Sequence, residues 1–251
     1  MAQLTILGSS NAIPSLEHDN THLVLATKSH TILVDCASNS LVRLEMAGID
    51  FRKISDIVLT HFHPDHVGGI PLLLMNLWLL GRTAPLNIYG LHYTLDRVET
   101  MMGLYSWGDW PEFFPVNFCR IPADPLTVLM DNQEVRIYTS PVKHFVPNIG
   151  LRVELKPQAK SLAYSCDTEP CPAVFELARN VDLLFHEATG PLPGHSSASQ
   201  AADVARAADV GELILIHYPT GRLASGDLIG EAAKKFSGPI RLAQDFMVID
   251  L

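Results

Sequence analysis

Residues 59–69, LTHFHPDHVGG, constrain this chain more than any other stretch. Four side chains able to ligate a metal, His61, His63, Asp65 and His66, fall within six positions. An apolar run, Ile57 to Leu59, leads in, and a run of helical character, Val67 to Leu80, leads out. The pattern predicts a strand that stops, a tight loop of ligands and a helix that starts, which gives convergent side chains a stiff support. His61 and His63 are two apart, so on extended backbone they point to one side. Asp65 and His66 follow where Pro64 turns the chain, so they can face a second ion. Gly68 and Gly69 let the backbone pass close to the site. Imidazole with carboxylate suits zinc, or another first-row metal, better than magnesium or calcium.

The rest of the chain brings further candidates to strand ends. Strands are predicted at Gln3–Leu7, Thr21–Thr27, His30–Asp35, Asp56–Thr60, Leu86–Gly90, Val116–Ile121 and Leu126–Met130. More follow at Gln133–Ser140, Gly150–Leu155, Ser161–Ser165, Asp182–Phe185 and Glu212–Ile216. Helices are expected over Ser38–Ala47, from an Asp65 cap to Gly81, near Thr94–Met102, and from a Ser196 or Ser197 cap to about Ala208. His61, His144, Asp167, Glu187 and His217 each lie just past an apolar run. Sites gather where strands end, because loops converge there. With no sequence repeat, low-complexity tract or linker, residues 1–251 read as one α/β domain, two sheets sandwiched between helices. Asp35, at a strand end, reads either as a cap or as a partner that orients a ligand histidine. His18 and His22 read as loop or core residues, His30 as an exposed turn residue, and Lys143 as a surface lysine or a phosphate contact.

Composition narrows the function classes. The chain is 251 residues long, 47% hydrophobic and 18% charged, which fits a sizeable core. Its formal net charge of −9 counts against binding nucleic acid through phosphate neutralisation alone. Cys36, Cys119, Cys166 and Cys171 form no CxxC pair and read as thiols in a reducing compartment. The start, MAQLTILGSS, is no signal peptide, and the apolar stretch Ile70–Leu80 is too short to span a bilayer. A cytoplasmic protein is expected. Tyr105, Trp107, Trp110, Phe113 and Phe114 crowd into residues 103–115. They suit a lid over the metals, a packed surface loop or a dimer contact.

Taken in order, THFHPDHVGG, His144, SCDT, FHEAT, GHSS and LIHY resemble the signature series of the metallo-β-lactamase superfamily of hydrolases. The HEAT and HS elements followed by LILIHY look like its ribonuclease Z-like branch. The resemblance covers nearly the whole chain. It implies a four-layer αββα sandwich and two divalent ions, usually zinc, with manganese or iron as alternatives. His61, His63 and His144 match the first ion's ligands; Asp65, His66 and His217 match the second's; Asp167 matches the bridging carboxylate. Glu187 and His195 match the pair that positions the scissile phosphate and protonates the leaving group, and Asp65 is suited to orient the attacking water.

Three features depart from ribonuclease Z. Only 22 residues separate His144 from Asp167, too few for the protruding arm that grips tRNA. The glycine-rich GEGTQ-type stretch is ASNSL here, and the chain is acidic. These departures disfavour tRNA and favour a small or short phosphodiester, or another small ester, as substrate. No membrane partner is expected, and the aromatic segment would suit a homodimer interface. The alternatives are a lactonase or thioesterase of the same fold, a tRNA 3′-end endoribonuclease, and a non-catalytic metal-binding regulatory protein.

Overall fold

Unbroken apolar runs such as Leu23–Leu25 and Leu213–Ile216 need cover on both faces. The computed structural model, which describes residues 2–224 and 226–251, supplies that cover with two stacked sheets and outer helices. Strands β1 (Gln3–Gly8), β2 (His22–Ala26), β3 (Thr31–Val34), β4 (Asp56–Val58), β5 (Leu86–Leu91) and β6 (Val116–Ile121) lie in the first sheet. The second holds β7 (Thr127–Asp131), β8 (Val135–Val142), β9 (Asn148–Leu155), β10 (Lys160–Tyr164), β11 (Leu183–Glu187), β12 (Glu212–Ile216) and β13 (Ile240–Leu242). A last strand, β14 (Val248–Asp250), crosses back and pairs with β1. The helices are α1 (Ser40–Met46), α2 (Pro64–Val67), α3 (Ile70–Leu79), α4 (His92–Leu104), α5 (Pro172–Ala178), α6 (Ala198–Ala207) and α7 (Leu228–Ala233).

Side chains alternate along each strand and so feed two cores. Leu23, Leu25, Ile32, Val34, Ile214 and Ile216 point between the sheets and join Phe185 and Leu151 there. Val24 and Leu33 point outward against α1, α3 and α4, while Leu213 and Leu215 point outward against α5, α6 and α7. The result is the expected four-layer αββα sandwich.

The two sheets are built alike. In each, three antiparallel pairings give way to three parallel ones. The two halves share this plan although no sequence repeat betrays it. Parallel strands send their C-terminal ends to one edge, and the candidate residues collect there.

Several local expectations change. Asp65 caps nothing: it lies inside the one-turn α2, whose cap position is His63, and Gly68–Gly69 separates α2 from α3. Ser197, not Ser196, caps α6, in a reciprocal box with Gln200. The aromatic segment is no lid. It leads into the start of β6, the opposite end from the strand C-termini, where Trp110 stacks on Trp78 and Trp107 meets Phe113 and Phe118. His30 is only partly exposed and pairs with Asp56. Among the described residues, no helix is long and apolar enough to cross a membrane.

Candidate metal centre

The loop after β4 carries half of the site. Pro64 opens α2, so His63 stays extended (φ −110°, ψ 151°) while Asp65 and His66 ride on the helical turn. The backbone just beyond runs against residues 36–38: Cys36 N–H donates to the His66 carbonyl and Gly69 N–H to the Cys36 carbonyl. A Cβ on Gly69 would lie 2.1 Å from the Ala37 oxygen, so only glycine allows this approach.

One group of donors comprises His61, His63 and His144. Nδ1 of His63 lies 3.0 Å from Nε2 of His61 and 3.2 Å from Nε2 of His144. Ligand nitrogens about 2.0–2.1 Å from a tetrahedral zinc lie roughly 3.3 Å apart, so three such nitrogens form one face of that polyhedron. The far nitrogens are anchored. His144 Nδ1 donates to the Gly194 carbonyl at 2.7 Å, and His61 Nδ1 lies 3.1 Å from Thr60 Oγ1, which itself donates to Asp35. Burial lowers the pKa of all three imidazoles, which keeps them neutral as ligation requires.

The other group comprises Asp65, His66, Asp167 and His217. Nε2 of His66 lies 3.5 Å from Asp65 Oδ2 and 3.6 Å from Asp167 Oδ2; Nε2 of His217 lies 3.6 Å from Asp65 Oδ2 and 3.4 Å from Asp167 Oδ1. Asp167 Oδ2 also lies 4.0 Å from His144 Nε2, so this carboxylate stands between the groups. His66 Nδ1 donates to Asp35 at 2.8 Å, and His217 Nδ1 is held by Thr189 Oγ1 at 2.9 Å. Burial alone would raise the carboxyls, yet the His217 and His66 imidazoles outweigh it and hold Asp65 and Asp167 well below the usual carboxylate range. Asp35, Cys166 and His217 sit at φ of 62°, 51° and 50°. Left-handed backbone costs a non-glycine residue on the order of 1 kcal/mol, and here it turns strand ends into the site.

The nitrogens and oxygen aimed into the second group are orphans. His66 Nε2, His217 Nε2 and Asp167 Oδ1 are buried with no hydrogen-bond partner. Buried polar atoms normally find partners. A divalent cation among these donors satisfies all three, and nitrogen with carboxylate oxygen is a donor set that zinc, manganese or iron accepts.

Glu187 and His195 adjoin both groups. Glu187 is fully buried at the end of β11 and accepts from Thr168 N–H (2.9 Å), Thr189 N–H (3.0 Å) and His195 Nδ1 (2.9 Å). Its pKa is raised, first by burial. Burial opposes charge on His195, but the Glu187 carboxylate overrides it and raises that pKa. The His195 ring lies parallel to His217 at 6.1 Å and edge-on to His144 at 5.0 Å.

The family profile described as "Beta-lactamase superfamily domain" matches residues 30–218, the stretch that holds every residue of this centre. The chain belongs to the metallo-β-lactamase superfamily. Among relatives of this superfamily member, a ribonuclease Z from Methanothermobacter thermautotrophicus is 28% identical and aligns over 100% of this chain and 97% of its own. The metallo-β-lactamase fold protein YhfI from Bacillus subtilis superposes with a TM-score of 0.83 at 21% identity, over 99% of this chain and 98% of that one. Human tRNase Z, short form, gives 0.79 at 24% identity, over 99% and 98%. The archaeal alignment spans 305 positions against 251 residues here, so that relative carries segments this chain lacks. Between His144 and Asp167 this superfamily member has only the β9–β10 hairpin.

Some contributors had no signal in the sequence. Thr189 and Gly194 hold the imidazoles of the candidate ligands His217 and His144 through contacts across 28 and 50 positions. Lys143, read as surface lysine or phosphate contact, pairs with Glu169 at 2.6 Å.

Proposed function

We propose that this protein is a dimetal phosphodiesterase acting on a small or short phosphodiester. Its ligands are His61, His63, Asp65, His66, His144, Asp167 and His217, and zinc is the metal. The observation that carries the phosphodiester reading is the Glu187–His195 pair beside both ligand groups. Two divalent ions held by these residues would supply Lewis acidity, acidifying a water and offsetting charge on a phosphoryl group. Asp167 spans the two ligand groups and fixes their separation. Asp65 accepts a hydrogen bond from the attacking water and orients it. As the imidazolium, which the Glu187 carboxylate favours, His195 gives Nδ1–H to Glu187 and keeps Nε2–H to protonate the departing oxygen, ending as the neutral imidazole.

Protein loaded with zinc or manganese is expected to hydrolyse bis(p-nitrophenyl) phosphate. Absence of turnover by protein shown to hold two ions overturns the reading. General acids contribute about 10²–10⁴-fold, so His195→Ala should lose about that much on a diester with an alkoxide leaving group and far less on the p-nitrophenyl ester.

A tRNA 3′-end endoribonuclease is the second reading, favoured by relatives named ribonuclease Z that align along the whole chain. The net charge of −9 and the bare hairpin weigh against it. Cleavage of a precursor tRNA at low salt, resolved on a gel, would decide in its favour.

A further inference from the structure

Glu169 lies outside both ligand groups, yet its carboxylate touches the loops that carry two of the site's residues. Oε1 accepts the Gly194 N–H at 2.9 Å, and Oε2 pairs with Lys143 Nζ at 2.6 Å. The Glu169 backbone adds a hydrogen bond to the Lys143 carbonyl at 2.9 Å, so the carboxylate starts from a fixed base. The carbonyl of the same Gly194 receives His144 Nδ1–H at 2.7 Å. Gly194 has φ +73°, and a Cβ there would come within 2.8 Å of Phe145 and 3.1 Å of His144 Nδ1. The next residue is His195.

We infer that Glu169 is a positioning residue: by fixing the Gly194 peptide it sets His144 and His195 relative to each other. The loop 190–196 is also held by short-range contacts of its own (Gly190 to Ser196, Leu192 to Gly190, His195 to Leu192), by Ser196 Oγ on the Thr168 carbonyl, by the His195 ring on Glu187 and by the His144 ring on the Gly194 carbonyl. Glu169 is the side chain that ties the Gly194 amide to the His144 loop. Misplacing a reacting group by an ångström costs up to about 10²-fold in rate, so the effect belongs to the proton-transfer step. Lys143 is then a counter-charge, and the Gly194 contact uses the other carboxylate oxygen.

The inference rests on the phosphodiesterase reading for its kinetic arm alone. Wild type, Glu169→Ala, Glu169→Gln, Lys143→Met and His195→Ala are compared on bis(p-nitrophenyl) phosphate and on a 3′–5′ diribonucleotide. Glu169→Ala should lose about tenfold or more on the dinucleotide and under about threefold on the aryl ester, following His195→Ala in direction. Glu169→Gln keeps an acceptor for Gly194 and should restore most of the loss; Lys143→Met should stay within about twofold of wild type. Equal loss by Glu169→Ala on both diesters, or no loss, overturns the inference while leaving the function standing. The second arm needs no turnover. In metal-free protein, hydrogen exchange over residues 190–196 should quicken in Glu169→Ala and not in Glu169→Gln, with the cores unchanged. If wild type hydrolyses neither diester, the functional reading fails and exchange alone decides: an unchanged 190–196 segment overturns the positioning role.

Discussion

Asp35, just past β3, is fully buried, with both carboxylate oxygens engaged. Oδ1 accepts Thr60 N–H at 2.8 Å and Oδ2 accepts His66 Nδ1–H at 2.8 Å, while the Thr60 hydroxyl donates to both. That arrangement selects the His66 tautomer with a bare Nε2, the form a metal needs. Losing such a partner costs about 10–100-fold in metal affinity, so Asp35→Ala should weaken zinc by that factor in a competition titration. Asp35→Asn should weaken it as well, because an amide N–H facing Nδ1 favours the wrong tautomer. Unchanged affinity in both variants would leave Asp35 a strand-end cap. The sequence left cap and partner open, since Thr60 and His66 lie 25 and 31 positions away. The same distance problem hid the partners of His30 and the role of Glu169. His-x-His-x-Asp-His was legible because its spacing is itself local geometry.

Among elements, the β2–β3 turn and the β7–β8 turn meet at one carboxylate. Ser29 donates to Glu134 through its hydroxyl (2.8 Å) and its backbone N–H (3.1 Å). The neighbouring hydroxyls of Thr27 and then Ser29 lower the Glu134 pKa from 4.5 to about 2. A depressed carboxyl stabilises the fold above its ordinary pKa and loses that contribution as pH falls through the folded value. The stability gap between wild type and Glu134→Gln should therefore be full above about pH 4.5 and shrink towards about pH 2. Urea denaturation at several pH values reads it, and a gap constant with pH would contradict it. Element existence was legible where both faces of a strand are covered, as in Glu212–Ile216, whose bounds match expectation. β13 and β14 were not, because each has three residues and a charged one among them. Nor does composition say which end of a sheet a loop occupies, which is why residues 103–115 fitted a lid as well as a packed loop.

At the scale of the molecule, the superfamily's two sheets share the labour of the centre. His61, His63, Asp65 and His66 follow β4 of the first sheet; His144, Asp167 and His217 follow β8, β10 and β12 of the second. Each ligand group mixes the two. Residues 122–126, which join β6 to β7, are exposed, and they are the covalent link between two similarly built halves. A chain cut there gives fragments that each hold an incomplete ligand set, although β14 on the second still offers an edge to β1 on the first. Ligand linkage adds about 4 kcal/mol when an ion is present at a thousand times its dissociation constant. The severed fragments should consequently associate far more tightly with zinc than with a chelator, which sedimentation velocity would show; equal association in both would refute it. Ion occupancy would then be readable as complementation between two polypeptides, and the candidate centre would double as a metal-gated clasp.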